Sequence, residues 1–174
     1  MVDCRICKAL ELGTRTIYRD ETVSILMPSN VSSPGELFVV PNTHEILFEN
    51  LSDELSAHMA VIANKASVAL VSALKCEGTN LLVQSGEPAG QSFSHAIIRV
   101  IPRFSGDSLS FEWEPQKLSE DEMSTIELKL REACKAVFFQ KEESNDVLDL
   151  KNQRVDALDS KEISNLLAHL KRLP

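Results

Sequence analysis

Cysteine is scarce in this sequence, and its placement argues against a disulfide-rich protein. The chain has four cysteines in 174 residues, too few and too scattered for a disulfide framework. Cys76 and Cys134 fall within helical patterns, where a buried thiol usually serves as a small apolar side chain. Only Cys4 and Cys7 are spaced to act together. Such a Cys-x-x-Cys pair can fold into a tight knuckle that offers two thiolates to one metal ion, although alone it is a weak signal.

Positive charge is also in short supply. The chain has 26 acidic residues against 18 basic ones, a net charge of −8, and no basic stripe. This balance argues against a general nucleic-acid-binding surface. No apolar run approaches the roughly 20 residues of a membrane span. The first residues, Met1 to Cys4, lack the basic and apolar regions of a signal peptide, so we expect a cytoplasmic protein without a membrane partner.

The composition, 43% hydrophobic and 25% charged, is that of an ordinary globular protein. A chain of this length suits one domain with an appendage. Apolar alternation and turn residues predict short strands around one long helix, which defines an α+β domain over residues 1–115. The predicted strands are Thr16–Arg19, Thr22–Met27, Glu36–Val40, Asn80–Ser85, a strand within 90–103 and a short one at 109–113; the helix runs from Ser52 to about Lys75.

The most informative stretch runs from Gly90 to Arg103. It predicts a small-residue turn followed by one strand, and strict alternation places His95, Ile97 and Arg99 on one face of that strand. An imidazole and a guanidinium on one strand face are suited to a ligand or a metal ion. The alternative is an exposed sheet face with no special role.

Residues 116–174 are predicted to form a C-terminal helical extension, packed on the domain or on a dimer partner. A helix begins after Ser119, where Ser119 and Glu122 fit a capping box, and it carries an apolar stripe. A polar connector over 140–159 and a last amphipathic helix over 160–172 follow. Such stripes are typical of a core or an interface, so an interaction module that acts through these helices is one functional hypothesis.

Several short motifs occur in a specific order along the first 103 residues. They are Cys4-x-x-Cys7, Pro28 and Gly35, Leu37-Phe38-Val39-Val40-Pro41-x-x-His44, Gly78-x-Asn80, Gly86-x-x-x-Gly90-Gln91-Ser92, and Val100-Ile101-Pro102-Arg103. In this order they resemble the histidine triad (HIT) family of nucleotide-binding proteins. The resemblance implies an antiparallel sheet of about five strands packed with a long helix. It also implies a homodimer that pairs two sheets edge to edge, with residues from about Ser52 to Lys75 in the contact.

The family takes its name from three histidines at alternate positions on the last strand, and here those positions read His95, Ile97 and Arg99. In active members the middle histidine attacks the α-phosphate of a nucleotide. Isoleucine cannot do so, and arginine cannot shuttle a proton near neutral pH, which predicts a degenerate active site without the usual hydrolase or transferase activity. Arg99 either binds a phosphate together with Gln84, Gln91 and Ser92, or forms a salt bridge with a nearby acid.

Base and ribose recognition also depart from the family pattern. Related proteins place an acidic or amide side chain in the early loop to pair the ribose hydroxyls, and the matching residues here are Met27 and Pro28. The resemblance leaves Val23 and Ile25 to line an apolar base pocket. Asn30 can replace the missing side chain only if the loop shifts.

The resemblance implies a structural zinc ion. Many prokaryotic members bind zinc through the two cysteines, the histidine after the strand exit and the first triad histidine, which correspond to Cys4, Cys7, His44 and His95. A closed site of four sulfur and nitrogen ligands is typically structural. The alternative is a reduced Cys-x-x-Cys with an unrelated histidine nearby.

Three functional hypotheses follow. The first is a zinc-stabilised dimer without nucleotidyl hydrolase chemistry that binds a nucleotide or another phosphate ligand. The second is an active nucleotide phosphohydrolase or nucleotidyl transferase that uses a non-standard nucleophile, with Arg99 and Ser92 stabilising developing charge. The third is the interaction module described above.

Overall fold

A computed structural model describes residues 4–138 of the chain, so the predicted connector over 140–159 and the predicted helix over 160–172 lie outside the described residues. Three α-helices and five strands make up the described part. They are α1 (Arg5–Leu12), β1 (Thr16–Arg19), β2 (Val23–Leu26), β3 (Leu37–Pro41), α2 (Asp53–Leu74), β4 (Gly78–Val83), β5 (Ile98–Arg103) and α3 (Glu120–Phe138). Two short 3-10 helices, Phe48–Asn50 and Glu87–Ala89, are also present.

The five strands form one antiparallel sheet in the order β1-β2-β3-β5-β4. The predicted hairpin is present as β1 and β2, and β5 lies between β3 and β4. Val100 of β5 is opposite Leu37 on one side and Leu81 on the other. The sheet and the helices confirm the predicted α+β class.

The two faces of the sheet bury different clusters, because successive side chains of a strand point to opposite faces. One face packs under α2, where Val23, Val39 and Val100 are fully buried with Met59 of the helix. The other face packs under α1. Its cluster contains Ile6 and Leu10 of the helix and four residues from the sheet side, which are Leu26, Phe38, Val40 and Ile97.

Helix α2 is the core helix of the domain. It begins where predicted, after Ser52, whose side chain accepts a hydrogen bond from the Leu55 amide at 3.2 Å, and it ends at Lys75 in a left-handed conformation (φ 56°). Among the described residues it is the one helix long and apolar enough to span a membrane, by length and composition, whereas the sequence predicts no such run. Its buried residues, including Met59, Ile62 and Leu70, pack against the sheet.

The sequence does not predict the helix α1, and the Cys-x-x-Cys pair lies at the start of this helix. Cys4 is the residue that precedes the helix, Cys7 lies in its first turn, and Gly13 ends it with a φ of 63° that glycine adopts without steric cost. The helix has only eight residues. Helices of this length are marginal without tertiary packing, and here Ile6 and Leu10 provide that packing.

The strand predicted in 90–103 is shorter than expected. Regular pairing starts at Ile98, and residues 91–97 form an irregular segment. Hydrogen bonds outside the sheet fix this segment: the Ala96 amide donates to Glu45 O at 2.6 Å, and the Gln91 side chain donates to Phe93 O at 2.8 Å. The short strand predicted at 109–113 is also wrong, since that segment has no regular structure.

The chain divides into two compact units, the first ending at Trp113 and the second beginning at Glu114. The sequence predicts this boundary two residues later, after residue 115. In the second unit, α3 begins at the predicted capping box, where the Ser119 amide donates to Glu122 Oε2 at 3.0 Å and the Glu122 amide donates to Ser119 Oγ at 3.4 Å. Its apolar stripe, including Met123, Ile126 and Leu130, is exposed.

Candidate metal centre and adjoining cavities

A cluster of two cysteines and two histidines joins α1 to the sheet. Cys4 and Cys7 are three residues apart around the helix start, which places both thiols on one side of it. Cys7 Sγ lies 3.2 Å from His44 Nδ1 and 3.7 Å from His95 Nδ1. Cys4 Sγ lies 3.6 Å from His95 Nδ1. The residues predicted as metal ligands are therefore brought together.

The geometry of this cluster fits a metal ion. The four ligand atoms all lie within 4.8 Å of one another. Tetrahedral coordination with the usual zinc bond lengths requires sulfur-to-nitrogen separations of about 3.6 Å. The observed separations of 3.2 to 3.7 Å are close to this value. These three separations fit one tetrahedral ion held by the four side chains.

The tautomer of His95 is set by the fold. Its Nε2 lies 3.0 Å from the carbonyl oxygen of Pro41, which can only accept a hydrogen bond, so Nε2 carries the proton. The lone pair of Nδ1 therefore points towards the thiols, as metal coordination requires. His44 also directs Nδ1 towards the cluster, and its Nε2 is buried without a hydrogen-bond partner among residues 4–138.

The environment of the cluster disfavours charge on its side chains. Burial, and then the neighbouring Cys4 thiol, raises the pKa of Cys7 to about 11. Burial is also the main reason why the pKa of His95 is lowered from its ordinary value. A cation among these groups offsets the effect on Cys7, because it stabilises thiolates, and it binds the neutral imidazole that burial of His95 already favours.

A cavity of about 180 Å³ opens beside His95. Its walls include four of the residues predicted to bind a ligand and all three triad positions. The lining residues are Asn30, Phe38, Gln84, Gln91, Ser92, Phe93, His95, Ile97 and Arg99. We call this space the first cavity.

The first cavity lacks an imidazole nitrogen that can attack or transfer a proton. Ile97 occupies the middle triad position, and only 9% of its surface is exposed. His95 lines the cavity with its ring, but its Nε2 bonds Pro41 and its Nδ1 faces the thiols. The hydroxyl in the lining belongs to Ser92, whose Oγ donates to Gly90 O at 3.3 Å.

Arg99 forms an ion pair with Glu36, which is one of the two roles left open by the sequence. The guanidinium approaches the Glu36 carboxylate at 2.6 Å, and the carboxylate is completely buried. Arg99 also donates to Ser32 Oγ at 2.7 Å and to Gln84 Oε1 at 3.1 Å. The sequence pattern places Glu36 in a buried strand without a partner, although an acid at the start of such a strand is a signal for a buried partner.

The predicted roles of Val23 and Ile25 are wrong. Both side chains are buried under α2 and line neither cavity. All four residues of β2 are buried, so the burial pattern alone does not indicate which face each side chain occupies.

Gln91 lies in the first cavity as expected, but its side-chain amide also holds the loop, since it accepts a hydrogen bond from the Gly86 amide at 2.6 Å and donates one to Ile46 O at 2.7 Å.

A second cavity, of about 240 Å³, lies between α1 and the loop after β2. It shares Asn30, Phe38 and Phe93 with the first cavity, so the two adjoin. Asn30 therefore reaches both cavities without the loop shift that we expected to be necessary. The remaining lining is Arg5, Ile6, Ala9, Thr14, Arg15, Leu26, Met27, Pro28 and Ser29. Sequence reasoning missed this cavity because α1 forms one wall of it.

The fold and this site define a small α+β protein with a Cys₂His₂ cluster next to a cavity at the edge of the central strands. Residues 9–106 match the family defined by the HIT domain, which is more than half of the chain. The protein is therefore a member of the HIT family, as the motifs predicted.

Two curated relatives illustrate the similarity. An uncharacterized HIT-like protein of Borreliella burgdorferi is 30% identical over 115 residues, which cover 64% of this chain and 83% of the relative. The adenylylsulfatase HINT3 of Arabidopsis thaliana is 30% identical over 118 residues, which cover 67% of this chain and 58% of the relative.

Solved structures have the same fold. A HIT family protein from Bacillus subtilis has a TM-score of 0.68 at 24% identity, covering 75% of this chain and 96% of that one. A zinc-bound histidine triad family protein from Mycobacterium smegmatis has a TM-score of 0.59 at 26% identity, covering 77% and 97%.

Proposed function

We propose that this protein is a zinc-stabilised member of the HIT family that binds a nucleotide-type phosphate ligand without the family's nucleotidyl transfer chemistry. One observation carries the proposal: the nucleophile position is occupied by Ile97, while both nitrogens of His95 are engaged outside the first cavity. A cavity with these walls can bind a phosphate ester but offers no imidazole to attack it.

Zinc is the metal that best suits the cluster. Two thiolates and two imidazoles are a common donor set for tetrahedral zinc, and four protein ligands leave no open position for a reactive water. The zinc-bound relative from Mycobacterium smegmatis supports the same assignment. The ion would supply structural stability, since Cys4 and Cys7 would fix α1 against His44 and His95. Thiolate ligands must stay reduced, which agrees with the proposed cytoplasmic location.

The ligand would extend across both cavities. Ser92 offers a hydroxyl to a phosphate, and the side chain of Arg99 is 26% exposed, so one edge of it can donate to an anion while it keeps Glu36. The apolar walls of the second cavity, including Ile6, Leu26 and Phe38, suit a nucleobase. The similarity to a protein named adenylylsulfatase favours adenylates as the first compounds to test.

We also propose a homodimer that uses α2 and the edge strand β4. Three valines of α2 are substantially exposed although the helix has a core-facing side: Val61, Val68 and Val71 are 50%, 64% and 46% exposed. Leu81 and Val83 add apolar surface on β4, which is an edge of the sheet. An unpaired strand edge beside apolar side chains is suited to pairing with a second copy.

Calorimetry and turnover assays test the proposal on the zinc-loaded full chain. We expect adenosine 5′-monophosphate to bind and adenosine to bind much more weakly, with no hydrolysis of adenosine 5′-phosphoramidate. Ile97→His should introduce a nucleophile into the cavity and produce measurable turnover, whereas the matched variant Ile97→Asn should not. Turnover by the unmodified chain would contradict the proposal and favour a non-standard nucleophile such as Ser92. Absence of binding at millimolar adenylate would remove the ligand assignment.

A further inference from the structure

The charged groups that line the second cavity are all cationic. Arg5 and Arg15 lie in its wall, and no aspartate or glutamate among residues 4–138 contributes to the lining. This is unusual in a chain with a net charge of −8. Neither arginine forms a salt bridge with a described carboxylate, in contrast to Arg99 and Arg103. Two guanidinium groups without acidic partners beside a cavity form a local site for an anion.

Arg15 is held in position for such a role. Its backbone is left-handed (φ 56°), a conformation that costs energy for a residue other than glycine. The Met27 amide stabilises it by donating to Arg15 O at 2.9 Å. The guanidinium donates from Nη1 to Ser29 Oγ at 2.6 Å, which ties it to the opposite loop. These bonds leave the other donors of the Arg15 guanidinium available to a ligand.

Among the described residues, the second cavity offers one amide, Asn30, but no carboxylate to the hydroxyls of a ribose. Ribose hydroxyls are recognised best by a carboxylate, which accepts from both of them, whereas an arginine at that place accommodates a phosphorylated ribose. The cavity provides Thr14, Ser29 and Asn30 together with the two arginines. We infer that the ligand is a nucleoside bisphosphate, with one phosphate in the first cavity and a second, on the ribose, beside Arg5 and Arg15.

This inference rests on the proposed function, since it assumes that a nucleotide spans both cavities. It adds to the proposed function the class of nucleotide that binds. The second phosphate would form charge-assisted hydrogen bonds with Arg15, for which a gain in affinity of roughly tenfold is expected.

The test compares ligands on the zinc-loaded full chain by calorimetry. The ligands are adenosine 5′-monophosphate, adenosine 3′,5′-bisphosphate and adenosine 2′,5′-bisphosphate. We expect at least one bisphosphate to bind roughly tenfold more tightly than the monophosphate. Arg15→Gln should abolish this preference while the dissociation constant of the monophosphate changes less than about threefold, and Arg5→Gln should reduce the preference. Arg131→Gln, which removes one positive charge from the exposed face of α3, is the matched control.

The possible failures are distinct. Equal affinity for the monophosphate and both bisphosphates in the unmodified chain overturns the inference and leaves the proposed function intact; this comparison needs no variant, so poor folding of a variant does not affect it. A preference that survives in the double variant Arg5→Gln, Arg15→Gln also overturns it. If no adenylate binds, both the proposed function and the inference fail.

Discussion

The Arg99 guanidinium lies 2.6 Å from the carboxylate of Glu36, which has no exposed surface. The Ser32 amide donates to the other carboxylate oxygen at 2.5 Å, so the pair fixes the loop beside the first cavity. The third triad position is thus part of the structural support of the cavity.

We expect Arg99→Ala to destabilise the fold by roughly 3 kcal/mol, because it leaves a buried carboxylate without its cation. The measurement is the free energy of unfolding from urea denaturation at neutral pH. Arg131→Ala, which removes one partner of the exposed pair with Glu127, is the control and should change the free energy far less. The double variant Glu36→Gln, Arg99→Ala should recover part of the loss, since it no longer buries an unpaired charge. A loss no larger than that of the control would show that the pair contributes little.

Metal content is the second prediction. The purified full chain should contain about one zinc per molecule, and Cys7→Ser should lose it, since a hydroxyl is a poor ligand for zinc. Cys134→Ser, on the exposed face of α3, is the matched control and should retain the metal. Chelation should lower the melting temperature by roughly 10 °C and increase amide hydrogen exchange in α1. Metal-free protein with unchanged stability and unchanged exchange would exclude a structural ion.

The turn between β1 and β2 gives a prediction for the effect of pH on stability. Asp20 accepts hydrogen bonds from the Thr22 and Val23 amides at 2.9 and 2.8 Å, and its other oxygen lies 2.8 Å from His58 Nε2. Burial alone would raise the pKa of Asp20, but the bond to His58 and the two amide bonds hold it well below its ordinary value of 3.8.

Because the pKa of Asp20 is lower in the folded state, its contribution to stability is present above about pH 4 and is lost as the pH falls towards the folded-state pKa. The difference in free energy of unfolding between the unmodified chain and Asp20→Asn should therefore shrink as the pH falls below about 4. A urea denaturation series over pH measures it, with Glu132→Gln on the exposed face of α3 as the control. A difference that does not depend on pH would contradict this role.

The proposed dimer provides the fourth prediction. Val68→Glu places a charge on the most exposed valine of α2 and should convert a dimer to a monomer in sedimentation velocity experiments. Val31→Glu, in an exposed loop between β2 and β3, is the control and should leave the dimer unchanged. A monomeric parent protein at micromolar concentration would refute the proposed dimer.

Local signals in the sequence were sufficient for the long elements. The apolar spacing and the Ser52 cap predicted α2 almost to its ends, and the Ser119 capping box predicted the start of α3. These features depend on residues a few positions apart, which sequence reasoning resolves well.

Long-range relationships could not be predicted in the same way. Glu36 and Arg99 are 63 positions apart, and nothing local identifies one as the partner of the other. The helix α1 is short and depends on packing of its apolar side against the sheet, so its short pattern carried no clear signal. Val23 and Ile25 were assigned to the wrong face because a fully buried strand does not show which side faces the long helix.

The position of Arg5 and Ile6 between the two cysteines has a consequence for the whole site. The same helical turn carries Cys4 and Cys7 towards the metal cluster and Arg5 and Ile6 into the wall of the second cavity. If zinc binding orders this turn, it should raise the affinity for a nucleotide. By thermodynamic linkage, nucleotide binding should then raise the affinity for zinc by the same factor. The affinity of this protein for the proposed nucleotide would then vary with the supply of free zinc.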